Sequence, residues 1–216
     1  MNSMAEIEVL YLDAHLAVID KPSGILMHRS KIAADKITLV ELLQAQLGKK
    51  IYCPHRLDRQ TSGVCVIAFN ALTTSLLQKS FARRQVQKTY IALTRGLFPD
   101  TLIVDRPLTD DNGLLKEAST YFKCLQRFAR SSLVEAAPTT GRQHQIRRHL
   151  AHNAHHIIGD TKYGKGGINR DFRQDHCLHR LFLHAHTLTF EHPCTGVEIR
   201  ATLPLPTELQ VVLNTL

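Results

Sequence analysis

The sequence predicts an α+β fold, a mixed and largely antiparallel sheet flanked by helices and loops. Short runs rich in β-branched and aromatic residues recur along the chain, joined mostly by short connections. Helical spacing appears in only a few stretches, and these do not alternate with strands in the rhythm of a doubly wound parallel sheet. The 216 residues, 44% of them hydrophobic, suit one domain with a sizeable core rather than a disordered chain. We therefore expect a single domain over residues 5–216, with no repeat and no linker.

Two strands open the chain, IEVLYLD (7–13) and HLAVIDKP (15–22). Lys21-Pro22-Ser23-Gly24 is a turn signal, and ILMH after it reads as a further strand. Thr38-Leu39-Val40-Glu41 fits a capping box, Leu39, Leu42, Leu43 and Leu47 follow at helical spacing, and Gly48 ends the run. VCVIAF (64–69) is apolar and β-branched enough to be a buried strand. Asn70 caps the next expected helix, whose apolar face carries Leu72, Leu76, Leu77 and Phe81 and which stops near Arg83-Arg84.

KTYIALTRG (88–96) is a strand with Lys88, Tyr90 and Ala92 on one face and Ile91 and Leu93 on the other. STYFKCLQRF (119–128) and SLVEAA (132–137) form a hairpin. Residues 141–156 read as one helix with Ile146, Leu150 and Ala154 facing the core. LFLHAHTLTF (181–190) and GVEIRATL (196–203) are strands joined at HPCTG.

Lysine and arginine number 27 against 19 acids, a net charge of +8, which makes a polyanionic partner plausible. Nothing at the N-terminus reads as a secretory signal, and no apolar run approaches the roughly 18 residues that span a bilayer. Five dispersed cysteines without a CxxC pair read as reduced thiols. The cytoplasm is the expected compartment, with no membrane association, and a monomer is the expected state.

In HRLDRQTSG (55–63) one carboxylate, Asp58, sits between Arg56 and Arg59, just before turn residues and a buried strand. An acid among cations stays ionised, which suits a nucleophile or an electrostatic anchor better than a proton donor. An aspartate there can equally hold a loop by accepting backbone N–H bonds. In TTGRQHQIRRHLAH (139–152), Arg142, Arg147 and Arg148 project from the entry and first turns, against the helix-dipole preference for acids. Gln143, His144 and Arg147 share one helical face. The alternative is a solvated basic surface.

Thirteen histidines invite a metal reading. His152 and His156 stand at i, i+4, but no glutamate follows the first, and His184 and His186 have no carboxylate at a fitting spacing. No metal site is expected. Tyr90 offers a flat face for a base or, alternatively, an ordinary strand aromatic.

Taken together, HRLDRQTSG, KTYIAL, TTGRQHQIRRHL followed by IGDTKYG, and LFLHAHTLTFEHPCTG resemble the RluA family of RNA pseudouridine synthases, in the family's order and over about Val9 to Pro206. KPSGILMHRS (21–30) and residues 145–164 resemble most the members that act on tRNA, at uridine 65 of the T arm. The small S4 RNA-binding domain that many relatives carry is not expected, since no stretch before residue 5 could hold it.

The resemblance implies the pseudouridine synthase catalytic fold and no cofactor. It implies that Asp58 is the catalytic carboxylate, that Arg147 pairs with it, and that Tyr90 stacks on the target base. Arg56 would fill the space the flipped base leaves. Arg59, Lys88, Arg142 and Arg148 would meet phosphates and shape the site. Other readings remain open here: the same reaction on 23S ribosomal RNA, an RNA-binding or folding module with little turnover, and a metal-dependent nuclease.

Overall fold

The computed structural model describes residues 6–29 and 37–216. In chain order the elements are β1 (Val9–Leu12), β2 (Leu16–Lys21), α1 (Leu39–Leu47), β3 (Ser62–Ala68), α2 (Ala71–Ala82), β4 (Gln87–Arg95), β5 (Thr101–Asp105), β6 (Leu108–Thr109) and β7 (Leu115–Lys116). There follow β8 (Ser119–Arg127), β9 (Ser131–Pro138), α3 (Gln145–His152), α4 (Gly166–Asp175), β10 (Leu183–Glu191), β11 (Glu198–Thr202) and α5 (Thr207–Asn214). The readings of the first five residues and of Ser30 lie outside the described residues.

The chain divides into two compact units, residues 1–86 with 187–203, and residues 87–186 with 204–216. In the first, β1 pairs β2 and β2 pairs β3, both antiparallel, and the later half of β10 pairs β11 antiparallel. All seven residues of β3 are buried. Its core joins Leu16, Val18, Val64, Val66 and Leu77 to Leu188, Phe190 and Ile199. The capping box of α1 forms as its sequence dictates: Thr38 Oγ1 accepts from the Glu41 N–H, and the Glu41 carboxylate accepts from the Thr38 N–H. Gly48 closes that helix in the left-handed region at φ 63°.

In the second unit β4 pairs β9, β9 pairs β8 and β8 pairs β5, all antiparallel. Phe98, Phe122, Leu150, Phe172, Phe182 and Leu209 lie at the centre of its core. β4 has Ile91, Ala92, Leu93 and Thr94 all buried, so both of its faces are covered over that half.

Three expectations are corrected. ILMH (25–28) is not a strand; it follows the turn as irregular chain, with the carbonyls of Leu26 and Met27 accepting from the first amides of α1. Leu72 on α2 is 70% exposed, because the buried stripe runs through Thr73 and Leu77. The helix expected over 141–156 exists only as α3; beyond it Ala154 takes a left-handed φ of 61° and is exposed. His152 and His156 therefore do not share a helical face. Helices α4 and α5 and the small β6–β7 hairpin have no counterpart in the sequence reading.

Candidate active-site residues in the two units

In the first unit the segment carrying Asp58 is bound to the β2 turn by a dense set of hydrogen bonds. Lys21, the last residue of β2, is fully buried. Its Nζ donates to the carbonyls of Pro22 (2.9 Å), Arg59 (3.2 Å) and Thr61 (2.9 Å). The β2–β3 register sets Lys21 opposite Gly63, which aims the ammonium at the loop just before β3. Around it the Gly24 N–H donates to the Arg59 carbonyl, Arg59 Nε returns to the Gly24 carbonyl, and Ser23 Oγ donates to the Gln60 carbonyl. The Thr61 N–H donates to the Asp58 carbonyl and closes the turn.

On the other side of Asp58, Leu57 is buried. His55 stacks on Phe81 at 4.7 Å, and its Nε2 accepts the Val66 N–H. That bond requires the ring proton on Nδ1 whenever the ring is neutral. Asp58 is half-buried, while Arg56 and Arg59 are exposed. The backbone of the acid is thus fixed on both sides, and a side chain on rigid supports keeps its geometry.

In the second unit Arg147 does not join a basic helical face. It is buried in the first turn of α3 and makes a two-pronged ion pair with buried Asp160, Nε to Oδ2 at 2.8 Å and Nη2 to Oδ1 at 2.9 Å. Gln143 stays exposed ahead of the helix, and His144 precedes it at a left-handed φ of 53°. Asp160 also accepts the N–H groups of Lys162 and Tyr163. Burial works to raise its carboxyl, but the Arg147 bonds and the two amides outweigh burial and hold it below the usual range. The Arg147 guanidinium lies 5.2 Å from the Tyr163 ring centre, and the Tyr163 hydroxyl meets His144 Nδ1 at 3.0 Å.

The approach to α3 is equally fixed. Gln145 Oε1 accepts from Thr140 Oγ1 and the Arg142 N–H, while its Nε2 donates to the Ser119 carbonyl and Thr120 Oγ1. Arg142 Nε donates to the Glu117 carbonyl and Arg148 Nη1 to the Thr109 carbonyl, so both arginines also tie the β6–β7 region to α3. Lys88 Nζ donates to the Thr140 carbonyl at 3.3 Å, and burial pushes its ammonium down to about 8. Tyr90 is half-buried beside the core of its unit.

Lys21, Asp160 and Tyr163 are among the residues of these groups that carry no role in the sequence reading. The signal for the last two stood in IGDTKYG. Gly159 is at φ 82°, and a side chain there would collide with the Arg180 carbonyl. One at Gly164 would collide with the carbonyl of Asp160 itself. Glycines that bracket an acid this closely mark a turn built around it. Among the described residues no group of three or more histidines, cysteines or acids is placed to hold a metal ion, and no helix is long and apolar enough to cross a membrane.

The profile of a family described as RNA pseudouridylate synthase matches residues 15–152. Curated relatives named tRNA pseudouridine synthase C include one from Pectobacterium carotovorum, 36% identical over 91% of this chain. The chain spans 58% of the length of that relative. Another, from Pasteurella multocida, is 38% identical over 89% of both chains. A relative from Buchnera aphidicola, named ribosomal large subunit pseudouridine synthase C, is 36% identical over 96% of this chain and 70% of its own. Among solved structures, human RNA pseudouridylate synthase domain containing 4 has a TM-score of 0.78 and 26% identity, covering 96% of this chain and 92% of that one.

Proposed function

Because the chain belongs to the RNA pseudouridylate synthase family, we propose that it isomerises one uridine of tRNA, position 65 in the T arm, to pseudouridine. The observation that carries the reading is the Asp58 segment. In a chain of net charge +8, one carboxylate is set on a loop pinned by a buried lysine, inside the stretch that matches the family.

The reaction breaks the N1–C1′ bond, turns the uracil and joins C5 to C1′, with a proton lost from C5 and one gained at N1. Two carboxylates serve most glycosidases because the leaving oxygen must be protonated. Uracil departs as a delocalised anion, so a single ionised carboxylate suffices. Asp58 fills that role, either attacking C1′ or taking a proton from the sugar.

Arg147 is the cation set against the acid in the reaction, and Asp160 holds its guanidinium plane. Tyr90 stacks on the base once it has left its helix, at an unstacking cost of a few kcal/mol. Arg56 fills the vacated space. Arg59, Lys88, Arg142 and Arg148 meet the RNA backbone. Nothing is oxidised, reduced or hydrolysed, so the chemistry calls for no cofactor. With a tRNA substrate the cytoplasm is the compartment of this reading, and a monomer is its state.

Pseudouridine mapping of total tRNA and ribosomal RNA, with and without this chain, tests the reading. Loss of one T-arm mark is the expected result. Loss at a large-subunit ribosomal site alone would keep the reaction and move the substrate, the outcome the Buchnera relative's name favours. Unchanged maps of both RNAs would remove the proposal and leave an RNA-binding module.

A further inference from the structure

A cavity of about 620 Å³ opens in the second unit, where Arg95 and Gly96 at the end of β4, Arg130 before β9, and Lys165, Gly167, Ile168 and Asp171 at the start of α4 come together. Three cations and one acid line it, a net charge of +2. The acid is engaged, since Arg130 Nη2 meets Asp171 Oδ2 at 3.1 Å. Arg95 and Lys165 are exposed, so their charges are available to a polyanion.

The walls are fixed by backbone bonds. The Gly96 N–H donates to the Arg130 carbonyl, Ser132 Oγ donates to the Gly96 carbonyl, and the Arg95 N–H donates to the His156 carbonyl. The wall bearing Lys165 also begins close to Arg147. Lys165 follows Tyr163 by two residues, which span about 7 Å at most, and the Tyr163 ring lies 5.2 Å from the Arg147 guanidinium. His156 joins the two walls, because its Nδ1 lies 2.6 Å from the Tyr163 carbonyl while its own carbonyl accepts from Arg95.

We propose that this cavity is a subsite for a backbone phosphate of the RNA substrate, one outside the target nucleotide. This rests on the RNA-modifying reading above and adds to it a second hold on the substrate. A concave, rigid site with two exposed cations suits a phosphodiester, which carries one charge and two free acceptor oxygens. A free phosphate-bearing molecule shares that chemistry and is separated from RNA by the test.

The test is the salt dependence of tRNA binding by the full chain, with Arg95→Ala/Lys165→Ala set against Asp171→Asn. Removing the two cations that hold this one phosphate should flatten the slope of log affinity against log salt by about 1 and weaken binding about tenfold at moderate salt. Asp171→Asn removes the one acid without removing a cation, and should tighten binding and steepen the slope. Opposite signs from two surface variants rule out a folding defect as the cause. Slopes equal to wild type in both variants would overturn the proposal. So would inorganic phosphate saturating the Gly96 and Gly167 amide signals while tRNA leaves them unmoved, which would make the occupant a free phosphate. Pseudouridine formation by the wild-type chain on the same tRNA is scored separately. Shifted slopes without product would keep the subsite and sink the enzymatic reading, and product with unshifted slopes would do the reverse.

Discussion

Lys21 in the first unit and Arg147 in the second are both buried cations, yet the structure holds them differently. Lys21 donates to three backbone carbonyls, two of them in the loop that follows Asp58. Arg147 donates two parallel bonds to one carboxylate. The lysine's three bonds to carbonyls act on where the loop sits. A buried guanidinium and carboxylate depend on each other, because losing either strands a charge in a poor solvent. The first arrangement positions a segment and the second holds a charge. The two units should therefore fail in different ways.

The largest effect belongs to the carboxylate that the first arrangement positions. Asp58→Asn keeps the shape and removes the charge, and should lower single-turnover pseudouridine formation by about 10³-fold or more. RNA affinity should stay near wild type. Turnover at the wild-type rate would take Asp58 out of the chemistry and leave Lys21 a purely structural residue.

Next is the ion pair. Asp160→Ala removes the two-pronged bond that holds the buried Arg147 guanidinium, and should cost about 3–5 kcal/mol in urea unfolding. It should also slow turnover by freeing the arginine's plane. The Asp160 carboxyl is held below its ordinary range in the native state. Its stabilisation is thus present above the unfolded value and is lost as pH falls through the native one. Wild type should lose stability in acid more steeply than Asp160→Asn. Parallel acid-unfolding curves would mean that the pair is not what holds this region.

Lys21→Met should reverse the balance. The variant loses three hydrogen bonds but also the penalty of a buried charge, for a net cost of about 1–2 kcal/mol. A displacement of the loop by about 1 Å is enough to slow a positioned reaction by about 10²-fold. Turnover should therefore fall far more than stability, the opposite of Asp160→Ala. A variant with intact turnover would show that Asp58 does not need the clamp.

How much of this was legible follows the same division. Capping box, turn and strand signals are local, and Thr38 with Glu41, Asn70, and the hairpin over 119–137 stand where the sequence puts them. The α+β class was legible for the same reason. Residues 153–156 were misread because the apolar period continues through Ala154 while the backbone leaves the helix, with an N–H from His155 already turned back to Leu150. The sequence shows Lys21 as a strand end and the start of a turn but not as a buried clamp, since its burial depends on the pairing of β2 with β3 and on acceptors about 40 residues away. Arg147 was expected to project with its neighbours. Its inward turn depends on Asp160, thirteen residues on, which no helical period connects to it.

The smallest effect expected is at Lys88, a third cation and an intermediate case. It donates to the Thr140 carbonyl, and burial pushes its ammonium down to about 8 from an ordinary 10.5. The native state then binds fewer protons than the unfolded one between those values, so stability should rise with pH across that window and be lowest below it. Lys88→Met should remove the rise. A phosphate contact through Lys88 has the reverse dependence, because the charge that binds RNA is lost as pH passes about 8. Wild-type RNA affinity should therefore weaken between pH 7 and 9 while the fold gains stability, and Lys88→Arg, which keeps its charge throughout, should bind with little change over the same range. Affinity that falls equally in both proteins would assign the loss to another group and leave Lys88 as a support for the Thr140 turn alone.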